Sequence, residues 1–429
     1  MQTFHIWTIG CQMNFADSWQ LEEELRRLGY REASQAEKAD LVVLNTCVVR
    51  QHAEDKCVGR LTSLKGWKRR RPDSLLVVVG CFVGDVEPLQ RAYPYVDLFL
   101  QPSDYMGLVH HLCDHDLVPH DEELQLSPGE GDVPVSMHVP ISYGCDHLCT
   151  YCIVRLRRGG ERSRPVVEIV DEVRALVGRG VREVTLLGQN VDSYGHDLPL
   201  LPGADRPPTL ADLLHSVHQI EDLYRIRFLT SHPADLRPEA IEAVASLPRV
   251  CPHFELPVQA GHDRVLKRMG RGYTVAEYRD LIARIRARIP DCSIATDVIV
   301  GFPGETEAQY EATYRLLEAL RFDAVHVAAY SERPGTPAAR LDDDVPTAEK
   351  HRRRQAVDDL QGRIVGEINA RFLGRTVEVL VERKKKSRWE GRTATNKLVY
   401  FEDDARDWRG ALAQVNITWA GPWSMIGEV

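Results

Sequence analysis

Three cysteines in one short stretch have the spacing of a metal-cluster loop. Cys145, Cys149 and Cys152 form a C-x3-C-x2-C run directly after an apolar segment. Structural zinc sites and most iron–sulfur clusters take four protein ligands. Because no fourth cysteine lies nearby, the run predicts an iron–sulfur cluster with one open iron, where chemistry would take place. The alternative is a zinc site completed by His147 or by a distant cysteine.

A second set of cysteines follows three apolar runs near the N-terminus. Cys11, Cys47 and Cys81 come at the ends of predicted strands, which cover residues 4–10, 39–47 and 74–81. Apolar strands that alternate with helices predict a parallel sheet covered on both faces, and all its strands end at the edge where ligands bind. Neighbouring strands are only ~4.8 Å apart. The three thiols therefore predict a second cluster with an open iron, the alternative being three unrelated buried cysteines.

The other four cysteines fit neither set. Free cysteine is commonly a small buried hydrophobe. We predict buried thiols at Cys57, Cys113, Cys251 and Cys292.

The central part of the chain repeats a strand and helix pattern six times. The candidate strands are residues 136–143, 182–187, 225–230, 253–257, 294–300 and 324–330. Six such units predict a partial (β/α)6 barrel, open on one side, with its active site at the carboxyl ends of the strands. Glycines and polar residues follow these strands, and six of them are candidate cofactor-binding residues: Gly188, Gln189, Asn190, Ser231, Gln259 and Gly301.

Length and composition restrict the class of protein. The 429 residues predict two to four domains, and no apolar run approaches the ~20 residues of a membrane span. The N-terminus lacks the basic region of a signal peptide, so we expect a cytoplasmic protein without membrane attachment. The net charge of −9 argues against wholesale coating of nucleic acid. Four basic clusters nevertheless favour a local polyanion site: residues 65–71, 155–164, 350–354 and 383–388.

The last 65 residues or so, 364–428, contain short alternating apolar runs. They predict a small β-barrel of the OB-fold kind, and such barrels bind looped RNA through basic and aromatic side chains. The alternative is a plain solvated hairpin. The candidate RNA-binding residues are Lys384, Lys385, Lys386, Arg388, Trp389 and Lys397.

Several motifs resemble those of one enzyme superfamily. The C-x3-C-x2-C run with Tyr151 before its last cysteine resembles the signature of radical S-adenosylmethionine enzymes. TxGCQMNxxDS at residues 8–18, LNTC at 44–47 and GC at 80–81 resemble the methylthiotransferases within that superfamily. LLGQNV and RIRFLTSHP resemble the branch that thiomethylates isopentenyl-adenosine in tRNA, the MiaB family. One departure is Arg155 with Leu156, where many relatives have a proline nearby.

The resemblance implies three domains. Residues 1–117 would form an N-terminal domain with an auxiliary cluster, 118–130 an acidic linker, 131–361 the radical core, and 364–428 an RNA-binding TRAM domain. It also implies two [4Fe–4S] clusters held by the two cysteine sets, and S-adenosylmethionine bound at the six strand-end candidates and at Tyr151.

The implied reaction is transfer of a methylthio group to C2 of N6-isopentenyl-adenosine at tRNA position 37. It would use two molecules of S-adenosylmethionine and radical activation of the C–H bond. The implied partners are the anticodon stem-loop and a flavodoxin- or ferredoxin-type reductant, and the enzyme is expected to be a monomer. Alternatives are action on threonylcarbamoyl-adenosine or a ribosomal protein, a different radical enzyme, and an iron–sulfur protein that only binds RNA or carries electrons.

Overall fold

The structure is a computed structural model that describes residues 2–48, 51–115, 117–118, 133–200, 203 and 205–429, with only the backbone described at 51 and 52. The chain forms two compact units. Unit 1 comprises Met1–Asp132, Gly144–Asp146 and Cys152–Gly160, and unit 2 comprises Val133–Tyr143, His147–Tyr151 and Glu161–Val429. Apart from Val118, the predicted linker 118–130 lies outside the described residues.

Unit 1 is built on a five-stranded parallel sheet, as the apolar runs predict. Its strands are β1 (Thr3–Thr8), β2 (Arg31–Glu32), β3 (Leu41–Thr46), β4 (Leu75–Gly80) and β5 (Leu98–Leu100), in the order β2-β1-β3-β4-β5. Its helices are α1 (Gln12–Arg27), α2 (Gln51–Arg70), α3 (Val86–Ala92), α4 (Tyr105–Asp114) and α5 (Val154–Arg158). The buried β3 alternates its side chains between two apolar cores, so both faces of the sheet are covered.

The main body of unit 2 is a partial parallel barrel. The small hairpin of β7 (Ser142–Tyr143) with β8 (Arg162–Ser163) follows its first strand. The barrel strands run in chain order: β6 (Ser136–Pro140), β9 (Glu183–Leu187), β10 (Arg225–Leu229), β11 (His253–Glu255), β12 (Ser293–Val300) and β13 (Ala324–Ala329). The regular ladder stops between β10 and β11, where single bonds such as Ser231 N to Glu255 O (3.2 Å) continue it.

In the part of unit 2 that the structure describes, six helices separate the barrel strands and a seventh follows the last strand. The six are α6 (Val166–Gly178), α7 (Leu210–His218), α8 (Pro238–Ser246), α9 (Asp263–Met269), α10 (Val275–Arg288) and α11 (Glu307–Leu320), and the seventh is α12 (Thr347–Ala370). Apolar side chains at helical spacing bury one face of each, for example Ile169, Val173 and Leu176 on α6. None of the described helices is long and apolar enough to cross a membrane.

Unit 2 ends in a closed five-stranded barrel, which confirms the predicted small β-barrel. Its strands are β14 (Thr376–Lys385), β15 (Arg388–Arg392), β16 (Leu398–Phe401), β17 (Leu412–Ala420) and β18 (Met425–Glu428), in the order β14-β15-β16-β18-β17. The turn at residues 393–397 contacts the amino-terminal end of the parallel barrel. There Arg227 donates to the Thr393 and Ala394 carbonyls, and Lys397 pairs with Asp323 at 2.7 Å.

Candidate functional site

The three N-terminal cysteines follow three adjacent strands of unit 1. Cys11 comes after β1, Cys47 directly after β3 and Cys81 directly after β4. Backbone bonds continue the register past the strands, from Ile9 N to Asn45 O and from Cys81 N to Thr46 O, both at 2.9 Å. Cys47 and Cys81 are buried, and Cys11 is exposed. The parallel register thus brings the cysteines to one edge of the sheet.

A pair of buried amides fixes the backbone around two of these cysteines. The Asn14 amide donates to Asn45 Oδ1 and to the Thr46 carbonyl, both at 2.9 Å, and the Asn45 amide donates back to the Asn14 carbonyl at 2.8 Å. Because Asn14 lies one turn after Cys11 and Asn45 lies two residues before Cys47, the amides join the two loops. The motif residues that surround the cysteines therefore form the framework of the site.

Gly10 allows the first two loops to approach each other. Its φ of +145° lies outside the range that other residues adopt readily. A side chain there would place its Cβ 2.8 Å from Cys47 Cβ and 2.5 Å from Asn14 Oδ1. The Cys47 side chain therefore packs against the backbone of Gly10, the residue before Cys11.

A buried arginine faces this sheet edge from α5. Arg158 is hydrogen-bonded to the Cys81 thiol, pairs with Asp17 Oδ2 at 3.2 Å and donates to Ser103 Oγ at 2.8 Å. Burial raises the pKa of the Cys81 thiol, and the Arg158 charge opposes that rise. In the sequence Arg158 is only one member of a basic cluster, because nothing in the local pattern shows that it folds back onto Asp17.

The cysteines of the C-x3-C-x2-C run are all partly exposed. Cys145 and Cys152 belong to unit 1, where the Cys145 amide donates to the Gly159 carbonyl at 3.2 Å. Cys149 belongs to unit 2. There a buried guanidinium, that of Arg271, donates to Cys149 Sγ at 3.3 Å.

The six strand-end candidates for cofactor binding all lie just after barrel strands. Gly188, Gln189 and Asn190 follow β9, Ser231 follows β10, Gln259 follows β11 and Gly301 follows β12. Ser231 Oγ donates to Asp192 Oδ1 at 3.2 Å. Gly301 differs from the other candidates in that it packs against α12. A side chain there would bring its Cβ within 2.4 Å of Lys350 Cγ. Tyr151 packs against an apolar cluster that includes Ala260 and Phe302.

Buried polar atoms without a hydrogen-bond partner collect at this end of the barrel. Among the described residues, one such atom follows each of the six strands: Ser142 Oγ, Asn190 Oδ1, His232 Nε2, Gln259 Oε1, Glu305 Oε1 and Tyr330 Oη. Buried polar groups in proteins are almost always paired. A polar ligand such as the amino-acid and ribose parts of S-adenosylmethionine would satisfy them, so the residues present fit that cofactor.

Two stacked histidines stand at the same edge, and the sequence analysis did not select either for the cofactor site. The His147 and His232 rings stack at 3.7 Å. Asp235 Oδ2 accepts from His147 Nε2 at 2.5 Å and from the Asn190 amide at 2.6 Å. Burial lowers the pKa of His232 to about 3 and raises the pKa of Asp192 to about 8. His232 and Asp192 are therefore both largely uncharged at neutral pH.

The predicted RNA-binding residues divide into two groups. Lys384, Lys385, Lys386 and Arg388 are exposed at the β14–β15 hairpin. Trp389 and Lys397 are buried instead: the indole is part of the barrel core and donates to the Asp403 carbonyl at 2.8 Å, and the lysine is the partner of Asp323. Neither can stack on a base or contact a phosphate from these positions. The basic cluster 350–354 is partly structural too, since Lys350 and Arg353 are buried in ion pairs.

Two of the four remaining cysteines are buried as predicted. Cys57 and Cys251 are buried, and burial raises the pKa of each thiol to about 11. Cys292 is partly buried. Cys113 is exposed on α4, so the prediction was wrong there: the apolar face of that helix is formed by Leu108, Val109 and Leu112.

Comparison with known proteins gives two family matches and many close relatives. The radical SAM superfamily matches residues 139–317, and an uncharacterized protein family, UPF0004, matches residues 3–101. A protein of Roseiflexus sp. (strain RS-1) named tRNA-2-methylthio-N(6)-dimethylallyladenosine synthase is 51% identical over 99% of this chain and 89% of its own. A synthase of the same name from Dehalococcoides mccartyi (strain CBDB1) is 47% identical over 100% and 99%.

This chain belongs to the tRNA-2-methylthio-N(6)-dimethylallyladenosine synthase family. The resemblance found in the sequence motifs is thus confirmed over nearly the whole length. A more distant synthase of that name, from Thermoanaerobacter pseudethanolicus (strain ATCC 33223 / 39E), still shares 41% identity over 99% of this chain and 92% of its own.

Solved structures agree with the fold of this synthase family member. The radical S-adenosylmethionine methyltransferase TsrM from Kitasatospora setae superposes with a TM-score of 0.59 over 79% of this chain and 77% of its own, at 14% identity. The cobalamin-dependent radical enzyme OxsB superposes with a TM-score of 0.51 over 84% and 56%, at 12% identity. At these identities the likeness supports the arrangement of a radical SAM fold and nothing about substrate.

Proposed function

We propose that this enzyme converts N6-isopentenyl-adenosine at tRNA position 37 into its 2-methylthio derivative. The observation that supports this most directly is identity of 41–51% to relatives named for that reaction, over 99–100% of this chain. Both cysteine sets that such a reaction requires occur in the chain.

The cofactors are two [4Fe–4S] clusters and S-adenosylmethionine. Cys145, Cys149 and Cys152 would hold the radical cluster, and the strand-end cysteines of unit 1 would hold the auxiliary cluster. When bound, these groups supply the electron, the radical and the sulfur chemistry, while the protein binds and orients the substrates.

The barrel edge suits a reaction that needs no general base. C2–H of adenosine is not acidic, so its activation requires hydrogen abstraction rather than proton transfer. His232 is held neutral by burial, which lowers its pKa, and burial keeps Asp192 largely protonated at pH 7. Polar atoms such as Asn190 Oδ1 and Gln259 Oε1 can then orient the cofactor without removing protons from it.

The β14–β15 hairpin is the proposed RNA contact. Lys385 and Lys386 are exposed at its tip, with Lys384 and Arg388 beside them. Clustered basic side chains bind phosphates in a salt-dependent way. We further propose that the enzyme works as a cytoplasmic monomer and receives electrons from a flavodoxin- or ferredoxin-type protein.

One experiment tests the reaction and its substrate together. Anaerobically reconstituted enzyme is incubated with S-adenosylmethionine, a reductant and a synthetic anticodon stem-loop that carries isopentenyl-adenosine, and the nucleosides are analysed by mass spectrometry. Parallel reactions contain a stem-loop with threonylcarbamoyl-adenosine or a ribosomal-protein preparation. The methylthio product should form only in the first reaction. Product in either parallel reaction alone would replace this proposal with the corresponding alternative.

A further inference from the structure

Arg271 is held rigidly beside one ligand of the radical cluster. It follows α9 and is 5% exposed. Its Nη2 donates to the Pro257 carbonyl and its Nε to Tyr273 Oη, both at 3.0 Å, which leaves Nη1 to donate to Cys149 Sγ at 3.3 Å. Because three different groups hold the planar guanidinium, its orientation toward the sulfur is fixed.

The charge of Arg271 has no carboxylate partner. Among the described residues no aspartate or glutamate forms an ion pair with it, and the groups that act on its charge are Tyr151, Tyr273, whose ring centroid is 5.3 Å away, and Cys149. Arginine stays protonated in proteins, and a buried cation is strongly unfavourable unless an anion compensates it. The anion that the geometry offers is the sulfur of Cys149 as a cluster ligand.

Arg158 in unit 1 differs in having a carboxylate partner. It too is buried and bonded to a cysteine, Cys81, but it also pairs with Asp17 Oδ2 at 3.2 Å. A carboxylate partner offsets part of the field that an arginine exerts on a nearby sulfur, so the effect of Arg271 on its cysteine should be the stronger of the two.

We propose that Arg271 is a positioning residue that donates to the Cys149 sulfur in the bound state and raises the one-electron reduction potential of the cluster which that sulfur ligates. The inference rests on the proposed function, since it requires the cluster. Reduction takes [4Fe–4S]²⁺ to [4Fe–4S]⁺ with one electron from the flavodoxin- or ferredoxin-type donor. The added negative charge lies beside a fixed, poorly solvated cation, so the reduced form is stabilised more than the oxidised form.

The test measures the potential without requiring turnover. A variant with Cys11, Cys47 and Cys81 changed to alanine serves as the background, so that the radical cluster alone gives an EPR signal. In that background, Arg271→Gln, Arg271→Lys and Arg264→Gln are titrated with dithionite in the absence of S-adenosylmethionine. Arg264 is exposed on α9, and its loss is the matched charge control.

Arg271→Gln should lower the ratio of reduced to oxidised cluster at a fixed potential by about tenfold or more, where tenfold corresponds to about 59 mV for one electron. Arg271→Lys keeps the charge and should stay within about threefold of the background, as should Arg264→Gln. If Arg271→Gln binds too little iron to titrate, Arg271→Met takes its place in the same background, where a loss of about tenfold or more is again expected and an unchanged ratio counts against the proposal.

An unchanged ratio in Arg271→Gln at full iron content would overturn the proposal. If the same variant also binds S-adenosylmethionine more weakly, the guanidinium is assigned to the cofactor carboxylate instead. If the background protein holds no iron–sulfur cluster at all, the proposed function fails instead, and iron analysis before the titration separates that case.

Discussion

The two cysteine sets are supported by different kinds of structure. In unit 1 the parallel register of β1, β3 and β4 places three cysteines at one sheet edge, and Gly10 and the Asn14–Asn45 amide pair lock the loops. The C-x3-C-x2-C run lies in a loop, which is held by backbone bonds such as that of Cys145 with Gly159 and by side-chain contacts such as that of Arg271 with Cys149. The register of a sheet therefore fixes the first set, whereas contacts between loops fix the second. The two should respond differently to mutation.

Removal of the thiolates gives the largest effect and separates the roles of the sets. Changing Cys145, Cys149 and Cys152 to alanine should abolish both 5′-deoxyadenosine and methylthio product, since alanine cannot ligate iron. Changing Cys11, Cys47 and Cys81 should abolish the product but leave 5′-deoxyadenosine formation. Both products are measured by mass spectrometry of one anaerobic reaction. Product from the second variant would make the strand-end cysteines structural.

A glycine substitution tests whether backbone geometry alone can disable the first set. Gly10→Ala places a Cβ against Cys47 Cβ and Asn14, so we expect about half of the iron to be lost although every thiol remains. Gly59→Ala on α2 is the control, because no atom lies within 4 Å of its added Cβ. Iron and sulfide analysis after reconstitution measures the loss. Full iron content in Gly10→Ala would show that the sheet edge is more adaptable than its contacts indicate.

The exposed hairpin lysines should affect binding of tRNA but neither cluster. Changing Lys385 and Lys386 to alanine should weaken tRNA binding roughly tenfold at low salt and flatten its salt dependence, because phosphate contacts release counterions. Changing Lys38 and Arg284, which are also exposed, removes the same charge elsewhere. Filter binding across a salt titration compares the pairs. Equal tRNA affinity and salt dependence in the two double variants would mean that the hairpin lysines are solvated and do not contact tRNA.

Asp192 gives the barrel edge a pH dependence of its own. Its folded pKa of about 8 exceeds the usual value of 3.8, so the folded state binds the proton more tightly than the unfolded state. Its contribution to stability is complete below pH 3.8 and is lost as pH rises through about 8. Asp192→Asn should therefore be less sensitive to pH between about 5 and 9 in urea unfolding than the parent or the exposed control Asp280→Asn. Parallel pH curves for all three would contradict the shift.

Tyr151 tests the radical core through a single side chain. Tyr151→Ala removes aromatic contact worth roughly 1–3 kcal/mol and should weaken binding of S-adenosylmethionine, whereas Tyr151→Phe keeps the ring and most of the affinity. Calorimetric titration of anaerobic protein measures both variants. Equal affinities would mean that the ring only fills the apolar cluster around Ala260 and Phe302.

Local patterns in the sequence predict the strands and the cysteine placement well. Each cysteine of the first set ends an apolar run, and a parallel sheet brings such ends together whatever the details of packing. Partners that are distant in sequence could not be predicted in this way. Arg158 is 141 residues from Asp17, and Arg271 is 122 residues from Cys149. Their pairing depends on how loops fold over the sheet edges, which no periodicity encodes.

Trp389 shows a different limit. It stands next to the basic run 383–388, and that composition suggested a surface that binds RNA. In β15, however, the indole faces the barrel interior and belongs to its apolar core. Whether a strand residue faces the interior depends on its position in the strand and not on the composition of its neighbours. Only the register of the closed barrel shows which side chains of β15 face inward.

The turn at residues 393–397 joins the C-terminal barrel to the amino-terminal end of the parallel barrel. Two of its carbonyls accept from Arg227, which also pairs with Glu183 at 2.9 Å. Its Lys397 pairs with Asp323. A truncation before β14 would leave Arg227 without these two carbonyl acceptors and Asp323 without its lysine partner. A shortened chain is consequently an unsuitable reagent for isolating RNA affinity, and the hairpin variants are the cleaner choice.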